Sequence, residues 1–336
     1  MISFVRLALP TILLFSSYPL SAETPSEVPS LDLPVHVRRG YGYTRPHPLA
    51  FITHQPSDMK MAWQRTFKKE NILPLSLLAA GTGVLIVLDQ YLFERTYKAG
   101  DTLNITHESE QNTLADITLP GSYKVRLNGP NNIGTGLYFL GDGITHAAIA
   151  GSFLTVGLMA SDNRALQTAS QLVEGILANG IVVQLLKHTT GRENPNTATQ
   201  TGGKWQFFPN QKDYAKHVNK YDAFPSGHLS TAMVTVTVIS SNYPEYKFVR
   251  PLGYTLMGAL SFQMVNNGVH WYSDYPLAIA MGWMFGKIAV DRGRSKTDDS
   301  ASLPFFIGPT TIAGKPGLAL TFPFGGPPSK KARSPL

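Results

Sequence analysis

Two histidines lie in short polar segments that each precede an apolar stretch, where an imidazole could act as a nucleophile or as an acid. The first is His228, which ends the segment FPSGH. Ser226 is a favourable N-cap residue, and Gly227 permits close approach of the backbone. A helix that starts here would direct unpaired N–H groups and the positive end of its dipole towards an anion. His228 would then lie within reach of a leaving-group oxygen.

The second histidine, His270, opens the segment HWYSD, which ends at Asp274 and leads into another apolar stretch. Residues four apart at the start of a helix can face each other across one turn. A carboxylate that accepts a hydrogen bond from one imidazole nitrogen fixes the tautomer and leaves the other nitrogen free as a nucleophile. A metal site would need further ligands, which the sequence does not obviously supply. We therefore expect no metal and no cofactor.

A third polar segment, KHTTGRENP, supplies two fixed cations, Lys187 and Arg192, five residues apart after a strongly apolar stretch. Both could neutralise phosphate oxygens, and Arg192 could do so with two parallel hydrogen bonds. The simpler interpretation is that both residues cap the C-terminus of a helix, where cations are favoured in any case. The FPSGH segment likewise could be a simple cap with an incidental histidine. A serine nucleophile there would lack the preceding strand and the flanking glycines that form the nucleophile elbow of α/β-hydrolases.

Helix lengths bring the three segments together. A helix of about 13 residues after His228 would run roughly 20 Å outward, and the apolar stretch that ends near Val265 would return a similar distance. His228 and His270 should therefore lie at the same end of a helical bundle, and Lys187 can join them there. Two imidazoles, two cations and an anion-binding helix start would converge on one site.

The rest of the chain predicts an all-α fold, a bundle of about six core helices with an irregular N-terminal arm and a short hairpin-like C-terminal extension. We divide it into a signal peptide (1–22), an N-terminal arm and first helices (23–133), a core domain (134–292), and a C-terminal extension with a basic tail (293–336). The polar residues 101–132 are expected to be a long connection, and residues 303–324 a hairpin. Residues 59–70 are expected to form a short helix. The five apolar stretches with helical spacing are 137–159, 166–187, 228–240, 251–265 and 274–290.

The N-terminus indicates export. It has one positive charge before an apolar run, and small residues precede Glu23, which is the pattern of a secretory signal peptide cleaved after Ala22. An uncleaved anchor is the alternative, and either would place the protein outside the cytoplasm. Residues 72–88 are the most apolar run of the mature chain and reach the lower limit for a membrane span. Gly81 and Gly83 suit close helix packing, so the sequence favours a buried core helix there.

Composition narrows the class of protein. The net charge of +7 favours anionic partners. Hydrophobic residues make up 43% and charged residues only 15%, yet the mean hydropathy of −0.06 is too polar for a chain that lies mostly within a membrane. The sequence has no cysteine, which excludes disulfides, thiolate metal sites and cysteine nucleophiles.

The three polar segments KHTTGRENP, FPSGH and HWYSD resemble the motifs of the superfamily of type-2 phosphatidic acid phosphatases, bacterial acid phosphatases and vanadium haloperoxidases. Its pattern is Lys-x6-Arg-Pro, then Pro-Ser-Gly-His, then Ser-Arg-x5-His-x3-Asp, and residues 141–290 preserve its order and spacing. The resemblance implies that His270 is the nucleophile, Asp274 its orienting partner and His228 the acid on the leaving oxygen. It also implies a phosphate-binding set, which we complete with the residues near the missing arginine: Lys187, Arg192, Asn194, Ser226 and Gly227.

Two arginines of the family pattern are missing. Asn194 stands where the pattern has the arginine before proline, and Met264 stands where it has the arginine six residues before the nucleophile. Both arginines normally hold phosphate oxygens, so their loss should weaken transition-state stabilisation by several kcal/mol unless another group compensates. Arg192 is the best candidate to replace the first.

The sequence thus predicts a metal-independent phosphatase that acts on a phosphorylated lipid at the periplasmic face of the inner membrane, through a phosphohistidine. Phosphatidic acid, phosphatidylglycerophosphate and isoprenyl diphosphates are candidate substrates, and a membrane surface is an expected partner, whereas nucleic acid is not. A soluble acid phosphatase with broad specificity is the nearest alternative. A member that binds phosphorylated headgroups without turnover is another, which the missing arginines support. Vanadate-dependent haloperoxidase chemistry ranks below both, because it needs the full arginine set.

Overall fold

The computed structural model describes residues 41–108, 111–119, 123–296, 306–312 and 315–321. Residues Arg39–Thr297 form one compact unit, which includes most of the predicted N-terminal arm and the whole predicted core domain. The second unit contains both ends of the chain, and its described part is an antiparallel hairpin of two strands, Phe306–Ile312 and Lys315–Thr321. This hairpin confirms the expectation for residues 303–324. The predicted signal peptide lies outside the described residues.

The larger unit is built from helices, which confirms the all-α prediction. Each of the five predicted apolar stretches is helical, although the first is divided into two helices. In the described part of the chain the helices are α1 (Ala50–Thr53), α2 (Gln55–Thr66), α3 (Ile72–Thr102), α4 (Ile133–Phe139), α5 (Gly143–Met159), α6 (Asn163–Thr190), α7 (Gln211–Lys216), α8 (Gly227–Asn242), α9 (Val249–Asn266) and α10 (Tyr275–Gly293). The helix that the sequence placed at 59–70 thus begins and ends earlier, as α2.

Within the residues that the structure describes, six strands occur in three two-stranded antiparallel pairs. They are β1 (Tyr41–Gly42), β2 (Gln111–Leu119), β3 (Tyr123–Pro130), β4 (Ser295–Lys296), β5 (Phe306–Ile312) and β6 (Lys315–Thr321). The β2–β3 hairpin occupies most of the stretch 101–132, where the sequence predicted a long connection. Its sequence signal was the alternation in YKVRL, which the surrounding Gly, Pro and Asn obscured.

Helix α8 lies at the centre of the bundle and contributes to two apolar clusters. Val234 and Val238 pack with Phe285 of α10 and Leu172 of α6 in the first cluster. In the second, Leu229 packs with residues of α9 and α10. Each such buried side chain contributes about 1.5–3 kcal/mol relative to exposure. Gly282 lets α10 approach α8 closely, because a Cβ there would collide with the carbonyl oxygen of Ser230. This packing fixes the starts of α8 and α10 side by side.

Helix α3 corrects the expectation that residues 72–88 form a buried core helix. It has 31 residues, and none of its most apolar 18-residue window, of mean hydropathy 2.0, is buried. Val87 is 83% exposed, and a Cβ at Gly81 or Gly83 would meet nothing within 4 Å. Those glycines therefore do not mediate packing. By length and composition, α3 and α6 could each cross a membrane, and the bent pair α4–α5 could count as a third span.

Candidate active site

The start of α8 forms one wall of the candidate site. Ser226 is the N-cap residue, and its fully buried hydroxyl accepts a hydrogen bond from the N–H of Leu229 at 3.4 Å. The N–H of Ser226 donates to the carbonyl oxygen of Asp274 at 3.1 Å, which joins the starts of α8 and α10. Gly227 is the first residue of the helix. The helix start predicted from FPSGH is therefore present, with its positive dipole end at this rim.

His270 is almost fully buried beside this helix start. Its Nδ1 lies 2.8 Å from the carbonyl oxygen of Ala223 and 3.4 Å from Oδ2 of Asp274. The sequence predicted that Asp274 orients the imidazole, but the closer acceptor is the backbone carbonyl. When Nδ1–H donates to that carbonyl, the proton-free nitrogen is Nε2. Within the described residues, Nε2 has no hydrogen-bond partner.

His228 faces the same space. The centroids of its ring and that of His270 are 6.4 Å apart, close enough for one phosphate group to contact both rings. Burial, followed by the neighbouring His270 and Lys187, lowers the pKa of His228 to about 3. His228 is therefore neutral at pH 7 in the protein alone. A bound phosphate would favour its protonated form, since a nearby anion raises the pKa of an imidazole.

Lys187 joins the site from the last turn of α6. Its Nζ would lie 4.0 Å from a Cβ placed at Gly227, so the cation is beside the start of α8. The same Nζ lies 3.3 Å from Oδ2 of Asp222. Asp222 was not among the site residues predicted from the sequence, although it lies only two residues before the FPSGH segment. Its carboxylate partly neutralises the lysine before any substrate is bound.

Arg192 has different partners from those the sequence predicted. We expected its guanidinium to bind phosphate in place of the missing arginine. Instead the side chain is fully buried, and its two terminal nitrogens contact the carboxylates of Asp89 and Asp274 at 2.6 and 2.5 Å. The indole rings of Trp205 and Trp271 lie near the guanidinium, with centroids 4.7 and 5.4 Å from Cζ. Both terminal nitrogens of the guanidinium thus have partners within the protein, and phosphate binding by Arg192 stays a prediction.

Both residues that stand in place of the missing arginines, Asn194 and Met264, are buried. Asn194 is buried in the turn before Pro195, and its N–H donates to the carbonyl oxygen of Asn219 at 3.0 Å. The amide oxygen of Asn194 is buried without a partner among the described residues. Phosphate binding by Asn194 stays a prediction. Met264 is fully buried, and its sulfur lies 3.8 Å from the hydroxyl of Ser226, so a thioether occupies the second position.

Within the described residues, no group of three or more His, Asp or Glu side chains is placed to hold a metal ion. The geometry instead defines a class of protein: a helical bundle with an imidazole pair, a lysine and a capped helix start gathered at one rim, around a space for a tetrahedral anion.

Comparison with known proteins bears on that class. The model of the PAP2 superfamily matches residues 168–296, a segment that contains every predicted site residue. This match confirms the resemblance seen in the sequence. One similar solved structure is described as the crystal structure of the first transmembrane PAP2 type phosphatidylglycerolphosphate phosphatase from Bacillus subtilis. It is 16% identical and has a TM-score of 0.37, and the alignment covers 65% of this chain and 94% of that one. No curated protein matches the sequence.

Proposed function

We propose that this protein is a phosphatase that hydrolyses a phosphomonoester or diphosphate of a lipid through a phosphohistidine formed on His270. The observation that supports this most is the arrangement of His270. Its Nδ1 is held by the carbonyl oxygen of Ala223, its Nε2 is unpartnered within the described residues, and His228 lies across from it. An imidazole fixed at one nitrogen and free at the other is a competent nucleophile.

In the proposed first step, the Nε2 lone pair of His270 attacks phosphorus while the bond to the leaving oxygen breaks. His228, protonated in the phosphate complex, gives its proton to that oxygen. Lys187 and the backbone N–H groups at the start of α8 stabilise the charge on the phosphoryl oxygens. In the second step a water molecule attacks phosphorus, neutral His228 takes the water proton, and the nitrogen–phosphorus bond breaks. Phosphate leaves, and His270 is restored.

A lipid substrate is supported by the exposed apolar helices. The first half of α3 and the outer face of α6 expose large apolar side chains such as Leu73 and Leu185. Surface of this kind suits contact with lipid more than with water. Location on the periplasmic side rests on the N-terminal pattern alone. A soluble acid phosphatase is the alternative, and it would leave these exposed apolar side chains unexplained.

A second candidate function is binding of a phosphorylated headgroup without turnover. The observation that favours it is the shortage of free cations. Arg192 is engaged by two carboxylates, Lys187 lies beside Asp222, and a methionine occupies the second arginine position. Such a site would hold the anion less tightly in the transition state than the full family pattern.

The test is phosphate release by the purified full-length protein in detergent, without added metal, from p-nitrophenyl phosphate and from phosphatidic acid. His270→Ala should reduce turnover at least about 1,000-fold, because it removes the nucleophile. His217→Ala, which removes an exposed histidine of the α7 region, is the matched control and should leave turnover unchanged. Rapid quenching in base should trap a radiolabelled phosphoenzyme that is stable in alkali and labile in acid, and that His270→Ala lacks.

His228→Ala separates the two histidines. Its loss of activity should be larger with phosphatidic acid than with p-nitrophenyl phosphate, because nitrophenolate leaves without a proton. Full turnover by His270→Ala would rule out the proposed nucleophile. Binding of inorganic phosphate without turnover of any phosphoester would favour the headgroup-binding alternative.

A further inference from the structure

Helix α3 contributes one carboxylate to the interior of the bundle, just after its exposed apolar half. Asp89 is 0% exposed. Its Oδ1 accepts a hydrogen bond from the N–H of Ser273 at 3.0 Å, and its Oδ2 accepts from Arg192 at 2.6 Å and from the hydroxyl of Ser273. A carboxylate buried at this position needs these partners, because an unpaired buried charge costs several kcal/mol.

Arg192 connects this carboxylate to the candidate active site. One terminal nitrogen contacts Asp89 and the carbonyl oxygen of Gly202, and the other contacts Asp274 and the hydroxyl of Ser273 at 2.5 and 2.6 Å. The remaining oxygen of Asp274 accepts a hydrogen bond from the N–H of Trp271 at 2.7 Å and lies 3.4 Å from Nδ1 of His270. A continuous series of buried contacts therefore runs from α3 to the imidazole.

The charges of these groups favour one form of His270. With both carboxylates ionised, the two carboxylates and the one guanidinium, all fully buried, place one net negative charge beside the imidazole. Formation of a phosphohistidine makes the imidazole ring cationic, and a nearby negative charge stabilises a cation in a region of low dielectric. Without the carboxylate of Asp89, the positive charge of Arg192 and the negative charge of Asp274 would cancel, and this stabilisation would be lost.

We infer that Asp89 and Arg192 are positioning residues for the reaction: they hold the carboxylate of Asp274 against His270 and supply the net negative charge that stabilises its cationic form. This inference rests on the proposed function, and it gives α3 a catalytic-site role in addition to its exposed apolar surface. Loss of the second buried carboxylate should therefore change catalysis as well as stability.

The experiment compares Asp89→Asn with Asp58→Asn in the full-length protein. Asp58 is an equally buried carboxylate, paired with Arg292, and serves as the matched control. Both variants should lower the melting temperature. Only Asp89→Asn should lower kcat, by about 10–100-fold with little change in KM, since it removes stabilisation of the transition state.

The pH dependence separates positioning from a purely structural role. Loss of a nearby negative charge disfavours a cationic imidazole ring, so the acidic limb of the kcat/KM profile should move to lower pH in Asp89→Asn and stay in place in Asp58→Asn. Arg192→Lys, which keeps the charge but loses the planar fork, should retain part of the activity that Arg192→Met loses. A profile identical to wild type in Asp89→Asn, or the same displacement in Asp58→Asn, would overturn the inference.

An NMR comparison of His270 makes the inference testable apart from turnover. In protein labelled at histidine, the ring signals of His270, assigned with His270→Ala, should move in Asp89→Asn and stay in place in Asp58→Asn. Absence of phosphatase activity with this displacement present would contradict the proposed function and leave the electrostatic coupling supported. Unchanged His270 signals in a folded Asp89→Asn variant would contradict the coupling itself. If Asp89→Asn does not fold, Ser273→Ala, which removes only a shared hydroxyl, should reduce kcat about 3–10-fold without moving the profile, and wild-type kcat in that variant would argue against positioning.

Discussion

In the described part of the bundle, an arginine-centred cluster lies at each end of α10, and the two clusters differ in what surrounds them. The catalytic-end cluster, named for the proposed active site beside it, comprises Asp89, Arg192 and Asp274, and the far-end cluster comprises Asp58, Glu174 and Arg292. Both place one guanidinium between two carboxylates. The helix between Asp274 and Arg292 has about 18 residues, so the clusters are roughly 27 Å apart.

The catalytic-end cluster is the more completely paired of the two. Both terminal nitrogens of Arg192 and both oxygens of Asp89 have partners. In the far-end cluster the side chain of Arg292 is 24% exposed, and one oxygen of Asp58 is buried without a hydrogen-bond partner in the described residues. The catalytic-end cluster ends at an imidazole, beside a helix start, and Nε2 of this imidazole has no partner among the described residues. The far-end cluster ends at His54, which only joins α2 to Glu174 of α6. An arginine between carboxylates is thus no sign of catalysis by itself, since chemistry depends on what the cluster contacts.

The largest effect that this comparison predicts is on stability at the far end. Arg292→Met leaves the carboxylates of Asp58 and Glu174 buried without their cation, and it should lower the free energy of unfolding by about 3–5 kcal/mol. Activity per folded molecule should be unchanged, because no far-end group contacts the imidazole pair. Denaturant titration, combined with phosphate release at full folding, measures both quantities.

Arg65→Met is the control for the Arg292 variant. Arg65 pairs with Asp291 at 3.2 Å on the surface, where both side chains are 37% exposed, so its loss should cost less than about 1 kcal/mol. Equal losses in the two variants would show that burial does not distinguish the far-end pair. Reduced kcat in Arg292→Met would show that the two ends are coupled.

An intermediate effect is expected from pH at the catalytic end. The pKa of His228 is lowered to about 3 by burial, His270 and Lys187, whereas an unfolded histidine has a pKa of about 6.5. As pH falls below about 6.5, the histidine is protonated in the unfolded chain but stays neutral in the folded protein. Acidification therefore stabilises the unfolded state and lowers the free energy of unfolding. Between pH 6.5 and pH 4 the free energy of unfolding of wild type should fall by about 2–3 kcal/mol more than that of His228→Gln. Denaturant titrations at each pH measure this difference.

Inorganic phosphate sharpens the pH prediction. Phosphate bound between the imidazoles favours protonated His228. It should therefore reduce the stability that wild type loses on acidification, but not the stability that His228→Gln loses. At the far end, burial and Arg292 also lower the pKa of His54. His54 is more exposed, so His54→Gln should change the acid dependence less. Parallel curves for wild type and His228→Gln would mean that His228 does not resist protonation.

The starts of α8 and α10 could be predicted from sequence because short-range rules govern them. A serine N-cap followed by glycine and an apolar stretch specifies a helix start without reference to the rest of the chain. The partners of Arg192 could not be predicted in this way. Asp89 lies 103 residues away in sequence, inside a helix whose apolar character suggested only a core or a membrane span. The sequence shows that Arg192 is a cation near the site, but burial and a distant carboxylate decide whether it faces phosphate.

The smallest effect distinguishes the helix caps at the two ends of the bundle. Ser226 caps α8 at the catalytic end, and Asp162 caps α6 at the far end, where it accepts hydrogen bonds from Arg164 and Ala165 at 2.8 and 3.2 Å. Alanine at either position should cost about 1 kcal/mol of stability, because one or two backbone N–H groups lose their acceptor. Only Ser226→Ala should also reduce kcat/KM, by about tenfold, since the phosphate is expected to bind at that helix start.

Because the two substitutions have matched costs in unfolding, any difference in kcat/KM between them reports on the site and not on folding. Equal kcat/KM in Ser226→Ala and Asp162→Ala would place the anion elsewhere than the start of α8. Since the hydroxyl of Ser226 also lies beside the sulfur of Met264, the size of the loss further indicates how much of the missing arginine's role the cap performs. A loss well above tenfold would mean that the serine performs more of that role than a neutral cap normally does.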